Sequence, residues 1–539
     1  MLLKGDKETQ FGRLFIPLPL KFLLKDKAFP HLKMIRTKII SLEDIAKVAS
    51  DLKRSGKSIA QCHGCFDLLH PGHIKHFEAA KKIADVVIVT VTPDRFVNKG
   101  PGRPVFNEHL RMESISALDS VDYVVLNKWP TAVEAIQLIR PDLYVKGQDY
   151  KEKDKDITKG IFKEEEAVKS VGGKLHFTEE ITFSSSALIN THFSPHNEKT
   201  QEYLAEFKKK YSADKINMQL DKLKDISVLV IGDTIMDEYH YCQPLGKSTK
   251  SPNISAVYLR QNVFAGGVLA VANHVSQFAS NVELVTVLGK GDSKKEIITE
   301  KLAKGIDKKF FHRADGPTNT KRRYLDRYLD IKLFEVTFMN DKYIDEKLEK
   351  EVLSHLKQAV KKHDMILVTD FGHGFITPGI AHFLESCGKY LAVNAQTNSN
   401  NYGYNYITKY KRVDFISIDE RELRLPFGDN HGDIEELILK LKKITHADKI
   451  QITLGEKGSK IFSKNKFYFT PAFATSIRDS VGAGDAVLSI TALCAYSQVD
   501  PLVISFVANC AGALAVQIIG NEHPVYKKDL TKFIQHFLK

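Results

Sequence analysis

A disulfide framework is the first thing this sequence excludes. Its 539 residues hold only six cysteines, scattered at Cys62, Cys65, Cys242, Cys387, Cys494 and Cys510. That sparse usage fits a reducing, cytoplasmic setting. Cys62 and Cys65 form a C-x-x-C with no second ligand pair, which argues against zinc. No run of ~18 uninterrupted apolar residues exists, so no membrane span is expected. The apolar run at 14–20 is broken by Pro17 and Pro19, is followed by Lys21 and lacks a small-residue cleavage site. It does not read as a signal peptide. Residues 1–35 read instead as a disordered N-terminal extension, and protein beginning at Met34 is expected to keep full activity. There is no short-period repeat. A basic stripe with interleaved aromatics is also missing. The formal net charge of +12 therefore points to small anions such as nucleotides and sugar phosphates, and not to nucleic acid.

What the chain does have is length for several domains and two blocks of alternating strand and helix signals. In the first block, β-branched runs at 58–63, 86–92, 123–126 and 143–146 alternate with helical patterns at 73–84 and 108–118. That grammar predicts α/β architecture, a parallel sheet with helices on its faces. From 191 to 224 the sequence turns to Lys, Glu and Gln with few apolar positions, and reads as a linker, helical over 201–211. A second, larger block follows, with strand-like runs at 228–231, 282–288, 365–369, 391–393, 415–418 and 449–454. Residues 239–261 and 320–336 alternate polar and apolar side chains, which suggests a small β flap outside the parallel core.

Two constellations carry chemistry. The string from Gln61 to His73, QCHGCFDLLHPGH, leaves a predicted strand and opens a helix. A strand-to-helix turn at the carboxyl edge of a parallel sheet is where such folds bind nucleotides, and the helix start offers free N–H groups to phosphate. Gly64 and Gly72 allow close backbone approach. His70 and His73, three residues apart, reach one phosphate together. In the second constellation, Gly482-Ala483-Gly484-Asp485 precedes an apolar helical run. Small residues there let amides converge on an anion, and Asp485 at the first turn is placed to take a proton from an attacking hydroxyl.

The first string, G-x-F-D-x-x-H-x-G-H, resembles the cytidylyltransferase-like nucleotidyltransferases over residues 57–190. The resemblance implies a Rossmann-like domain over 36–190, with Gly64, Phe66, Lys146 and Ser184-Ser185-Ser186 at the nucleotide. It gives Lys99 a role in phosphate contact beside the catalytic pair His70 and His73, and puts Arg111 near the substrate. Lys146 opens a segment like the family's K-G-x-D-Y loop. The implied reaction is in-line attack of a sugar phosphate on a nucleoside triphosphate, ATP or CTP, with Mg²⁺ and release of pyrophosphate.

The second string, in a block spanning 225–539, resembles the ribokinase-like, or PfkB, carbohydrate kinases. This implies a doubly wound domain with a small β lid that dimerises in relatives. Carried over residue by residue, Asp485 is the catalytic base and Gly482, Ala483 and Gly484 form the anion hole. Asp233, Asp237, Gly266, Gly267, Lys321 and Arg323 bind the sugar phosphate. Thr453, Gly455, Gly458 and Asn509 hold ATP, and Asp419 and Glu422 act indirectly on Mg²⁺. The fusion is similar to bifunctional heptose-phosphate kinase/nucleotidyltransferases in reversed domain order. Departures cluster around the sugar: Val268-Leu269-Ala270 replaces A-A-N, His373 stands for the lysine of D-Y-x-K-G, and Asn394-Ala395-Gln396 replaces D-P-K. Two readings stay open. Either both domains are catalytic and yield a nucleotide-activated sugar, or the transferase acts on a polyol phosphate and the kinase-like block is a sugar-binding regulator.

Overall fold

The computed structural model describes residues 38–97, 103–148, 160–178, 196–327, 331–398 and 401–539. The extension expected at 1–35 lies outside these residues, as do Lys99 and Ser184-Ser185-Ser186.

The N-terminal block folds around strands β1 (Ile59–Gly64), β2 (Val86–Val91), β3 (Tyr123–Leu126), β4 (Leu143–Gly147) and β5 (Lys174–Thr178). They pair in the order β3-β2-β1-β4-β5, every neighbour parallel. The central strands read as unbroken apolar runs because helices cover both faces; all six residues of β2 are buried. β5 is absent from the apolar runs of the sequence because its edge position leaves it mostly polar, with Lys174 and His176 flanking Leu175. Sequence order reverses between β1 and β4, and such a switch point opens a crevice at the strands' carboxyl ends. The helix Pro71–Ile83 begins at that crevice, with Pro71 in its first turn.

The C-terminal block holds thirteen more strands. They are β6 (Ser227–Gly232), β7 (Thr234–Lys247), β8 (Ile254–Gly267), β9 (Asn281–Gly289), β10 (Ile306–Arg313), β11 (Thr320–Asp326) and β12 (Lys332–Phe338). After them come β13 (Met365–Asp370), β14 (Tyr390–Ala395), β15 (Phe415–Asp419), β16 (Lys449–Thr453), β17 (Ser459–Ser463) and β18 (Lys466–Thr470). Nine form one sheet, β10-β9-β6-β13-β14-β15-β16-β17-β18, parallel up to β16 and closed by an antiparallel β17–β18 hairpin. The other four make a separate sheet, β12-β11-β7-β8, where the alternating pattern predicted a flap. Alternation gives that flap two faces. Tyr239, Tyr241 and Leu325 pack with Phe264 on the inner one. Tyr324 and Phe334 stack on the outer one, 4.6 Å apart.

The expected linker is corrected by the packing. From residue 196 onward it is two helices, Glu198–Lys210 and Ala213–Lys222, and both belong to the larger body. Leu204, Phe207, Ile216 and Leu220 are buried in the same core as the helices Ala483–Tyr496 and Pro501–Ala515. Phe207 stacks on Phe506 at 4.2 Å. Each helix is amphipathic, with few apolar residues among many charges, and those few face the core. Among the described residues no helix is long and apolar enough to cross a membrane.

Candidate functional site

In the N-terminal body the imidazoles of His70 and His73 stack face to face, 3.8 Å between centroids and 21° apart. His70 occupies the N-cap position of the helix Pro71–Ile83, without a capping bond from its side chain, and is only 6% exposed. Phe66 holds a positive φ of 48°, a backbone region costly for a bulky residue. Its ring meets His73 edge-on at 5.2 Å and packs on Phe77 at 5.1 Å. A Cβ on Gly64 would press within 3.0 Å of that ring, so glycine there is a matter of space.

Lys146, next to last in β4, is buried and pairs with Glu164 at 2.9 Å. Burial first, and the Lys146 charge second, push His63 and His76 down to about 4. Both imidazoles are therefore neutral near pH 7. His63 Nδ1 lies 2.9 Å from Thr90 Oγ1, and His76 Nδ1 3.0 Å from Thr178 Oγ1. No local motif singles out Glu164, His63 or His76, because their partners Lys146, Thr90 and Thr178 lie on other elements of the fold.

Arg111 corrects an expectation. The resemblance puts it near the substrate, but its side chain is fully buried. Its guanidinium donates to the carbonyls of Cys65, Thr92 and Phe106 and to Asp94. Arg111 thus fixes the loops around the crevice from behind. Asp67 does related work: buried, it accepts from Val105 N at 2.5 Å and pairs with Arg103 at 3.3 Å.

The C-terminal body contains a cavity of about 580 Å³. It brings together residues separated by nearly 300 positions in sequence. Asp237, Gly267, Lys321 and Arg323 line one part, and Gly482, Ala483, Gly484 and Asp485 another. Asp419, Glu422, Thr453, Gly455, Gly458 and Asn509 complete it. Asp485 is in the first turn of Ala483–Tyr496, whose cap Gly482 has φ 81°. A Cβ on Gly482 would lie 1.9 Å from Asn521 Oδ1, so the turn admits only glycine. Burial, reinforced by Asp237 and partly offset by Lys321, pushes the Asp485 carboxyl up to about 7. Such a group ionises near neutrality and is suited to accept a proton.

Arg323 pairs with Asp237 and, at 2.8 Å, with Glu335. Asp419 and Glu422 form a reciprocal cap on the helix Glu420–Arg424: Glu422 N donates to Asp419 at 2.7 Å, and Asp419 N to Glu422 at 2.8 Å. Burial, then the neighbouring Asp419, push Glu422 up to about 8. Asp485 adds to that repulsion. Asp419 and Glu422 thus stand as two like-charged carboxyls at one wall of the cavity, and among the described residues no group of three or more His, Cys, Asp or Glu side chains is gathered to hold a metal ion.

Two sugar-side expectations change. Asp233 does not line the cavity. It is fully buried and accepts from the amides of Phe371, His373 and Phe375, which fixes the 371–375 turn. Gly266 does not line it either; its missing side chain makes room for Asp237, whose Oδ2 would be 2.2 Å from a Cβ. His373, where the lysine was expected, is buried, and burial with the Lys321 charge pushes it down to about 3. It is neutral, so the positive charge at this end of the cavity is supplied by Lys321 and Arg323.

Residues 225–527, more than half of the chain, match the family profile described as pfkB family carbohydrate kinase. The chain belongs to the pfkB family of carbohydrate kinases. In front of this pfkB-family body, residues 62–191 match the profile described as cytidylyltransferase-like. Among curated relatives, the chain is 40% identical over 146 residues to "Bifunctional protein HldE" of Aliarcobacter butzleri, covering 27% of this chain and 30% of that protein. It is 34% identical over 172 residues to the protein of the same name from Desulfatibacillum aliphaticivorans, covering 32% of this chain and 33% of that one. The matched part spans about a third of those relatives' length. Among solved structures, the pfkB-family body is similar to Arabidopsis thaliana ribokinase complexed with ribose and ATP (TM-score 0.44, 19% identity, covering 58% of this chain and 99% of that one). It is also similar to phosphofructokinase-2 from Escherichia coli (TM-score 0.47, 11% identity, covering 58% and 100%).

Proposed function

We propose that this chain makes a nucleotide-activated sugar in two steps. In the first, Asp485 takes the proton of a sugar hydroxyl, the anomeric one, as its oxygen attacks the γ-phosphorus of ATP. The oxygen–phosphorus bond forms, the bond to the β-phosphate oxygen breaks, and ADP leaves. The amides of Gly482, Ala483 and Gly484 hold the transferring phosphoryl group, Lys321 and Arg323 a phosphate already on the sugar, and Thr453, Gly455, Gly458 and Asn509 the nucleotide. Mg²⁺, when bound near Asp419 and Glu422, neutralises phosphate charge. In the second step an oxygen of the new sugar 1-phosphate attacks the α-phosphorus of a second ATP beside His70 and His73, and pyrophosphate leaves. Positioning and charge stabilisation do the work, without a protein nucleophile. Lys99, Lys146 and Ser184-Ser185-Ser186 would hold the triphosphate.

The observation that carries this reading is Asp485 opening on a cavity lined by sugar-side cations and a nucleotide-side glycine loop. A pure sensor has no use for a buried carboxylate that titrates near pH 7. The sugar is a heptose 7-phosphate in this proposal, by the resemblance of the fused pair of domains to heptose-phosphate kinase/nucleotidyltransferases, although the changes at His373, Asn394 and Gln396 border its site. The test is incubation of the chain with heptose 7-phosphate and mixed ATP and CTP, with mass spectrometry of the product. An ADP-heptose is expected. Absence of ADP release on a panel of sugar phosphates would favour the regulatory reading.

The protein is proposed to work in the cytoplasm as a homodimer joined through the outer face of the flap. Tyr258, Phe334, Val336 and Phe338 are exposed there at 54%, 57%, 38% and 41%, an apolar patch that a second copy would cover. Light scattering should give twice the chain mass for the native protein and the single mass for F334D/V336D; a monomeric native protein would refute the dimer.

A further inference from the structure

The inner face of the flap sends a cation to the anion cradle as well as to the sugar side. Lys332 opens β12 opposite Leu325, and its ammonium lies 2.7 Å from Asp479 Oδ1. Asp479 stands six positions before Asp485 and three before the glycine turn that begins at Gly482. Its side chain is only 4% exposed and accepts four hydrogen bonds. Lys332 and Val481 N share Oδ1, at 2.7 and 3.1 Å. Tyr239 Oη and Gly520 N share Oδ2, at 2.7 and 3.0 Å.

The two amides matter most. Val481 immediately precedes the cradle cap Gly482, and Gly520 immediately precedes Asn521, the residue that closes over Gly482. One carboxylate therefore pins both chain segments that shape the amide pocket. Its other two partners both come from the flap, Tyr239 on β7 and Lys332 on β12. The Lys332 ammonium also lies 5.3 Å from the centre of the Tyr239 ring. Burial works against ionisation of Asp479, and Lys332 with Tyr239 nonetheless holds its carboxyl below the usual range. If Lys332 is removed, a buried carboxylate remains beside the place where a phosphoryl group gathers negative charge, and one of the ties between flap and cradle is lost.

We propose that Lys332 is a positioning residue for phosphoryl transfer, tying the flap to the amide cradle through Asp479 so that seating of the flap sets the cradle for phosphate. The proposal rests on the kinase reading above. It is tested in the full chain with K332M and K332R, by ADP formation from ATP and heptose 7-phosphate and by binding of ADP and of the γ-phosphate analogue AMP-PNP.

A role in setting the cradle predicts that K332M lowers kcat roughly tenfold while KM for the sugar phosphate moves less than about threefold. AMP-PNP should lose more affinity than ADP, since only AMP-PNP reaches the cradle. K332R should recover most of kcat, because it restores the charge on Asp479. Unchanged kcat in K332M, or equal loss of affinity for ADP and AMP-PNP, would overturn the proposal. A K332R enzyme as slow as K332M would do the same, and this outcome stands even if K332M folds poorly. If the native chain forms no ADP at all, the kinase reading falls, and the ratio of AMP-PNP to ADP affinity alone decides on the tie.

Discussion

Burial of the Asp485 carboxyl costs stability at neutral pH, as the proposed role of proton acceptor would require. Its carboxyl titrates at about 7 in the folded chain against an ordinary 3.8, so the folded state keeps a proton that the unfolded chain releases between those values. Stability from this group is therefore lost as pH rises from about 4 to about 7. D485N should lower kinase turnover by ~10²–10⁴-fold, followed as ADP formation. It should also melt higher than the native chain at pH 8, with the gain shrinking toward pH 4 in parallel calorimetric scans. For the native enzyme, kcat/KM of the kinase step should rise with one-proton dependence to a plateau above pH ~7. In the other body, where His70 and His73 stack, the proposed role of the pair on charge that develops during transfer predicts that H70A cuts pyrophosphate release by roughly 10²-fold while nucleotide affinity changes far less. Near-normal turnover in H70A would remove the catalytic assignment. Glu164 sharpens the picture of Lys146. A buried ammonium with a carboxylate at 2.9 Å is a charge fixed in place before any triphosphate arrives.

At the scale of elements, the helix Glu198–Lys210 shows how a charged stretch still builds a core. Phe207 is 2% exposed and stacks on Phe506 of Pro501–Ala515, the helix that carries Asn509. F207A should cost about 3–5 kcal/mol in urea unfolding of the C-terminal body. A fragment starting at residue 225 should be less stable than one starting at 196, and comparison of their melting temperatures checks it. The flap is the second instructive element. Its residues alternate between an inner set that reaches sugar-side and cradle carboxylates and an outer set that is aromatic and exposed. One short sheet thus faces a cavity and a candidate interface at once, because successive strand residues point to opposite sides.

For the whole molecule, the two cradles lie on separate sheets, each at the carboxyl ends of its parallel strands. The product of the kinase step would carry the nucleophile of the transferase step. A mixture of H70A and D485N chains should accordingly make the nucleotide-sugar that neither makes alone, with free sugar 1-phosphate detectable in the H70A reaction. Failure of the mixture to make product while each chain keeps its remaining activity would mean that the intermediate passes only within one chain.

The sequence by itself determined the fold class, the order of the two bodies and most of the strands, because apolar periodicity and glycine turns are local properties. It also marked His70, His73 and the Gly482–Asp485 turn, where chemistry and chain direction coincide in a short string. Only the tertiary structure decided what the buried charges do. Arg111 and Asp233 have the residue types of ligand contacts, yet burial spends their hydrogen bonds on backbone carbonyls and amides. Lys332 and Asp479 meet across 147 positions, and Glu164 meets Lys146 between a helix and strand β4. Hydrogen-bond capacity and charge compensation are settled by which groups meet in three dimensions, and nothing in a local string states that.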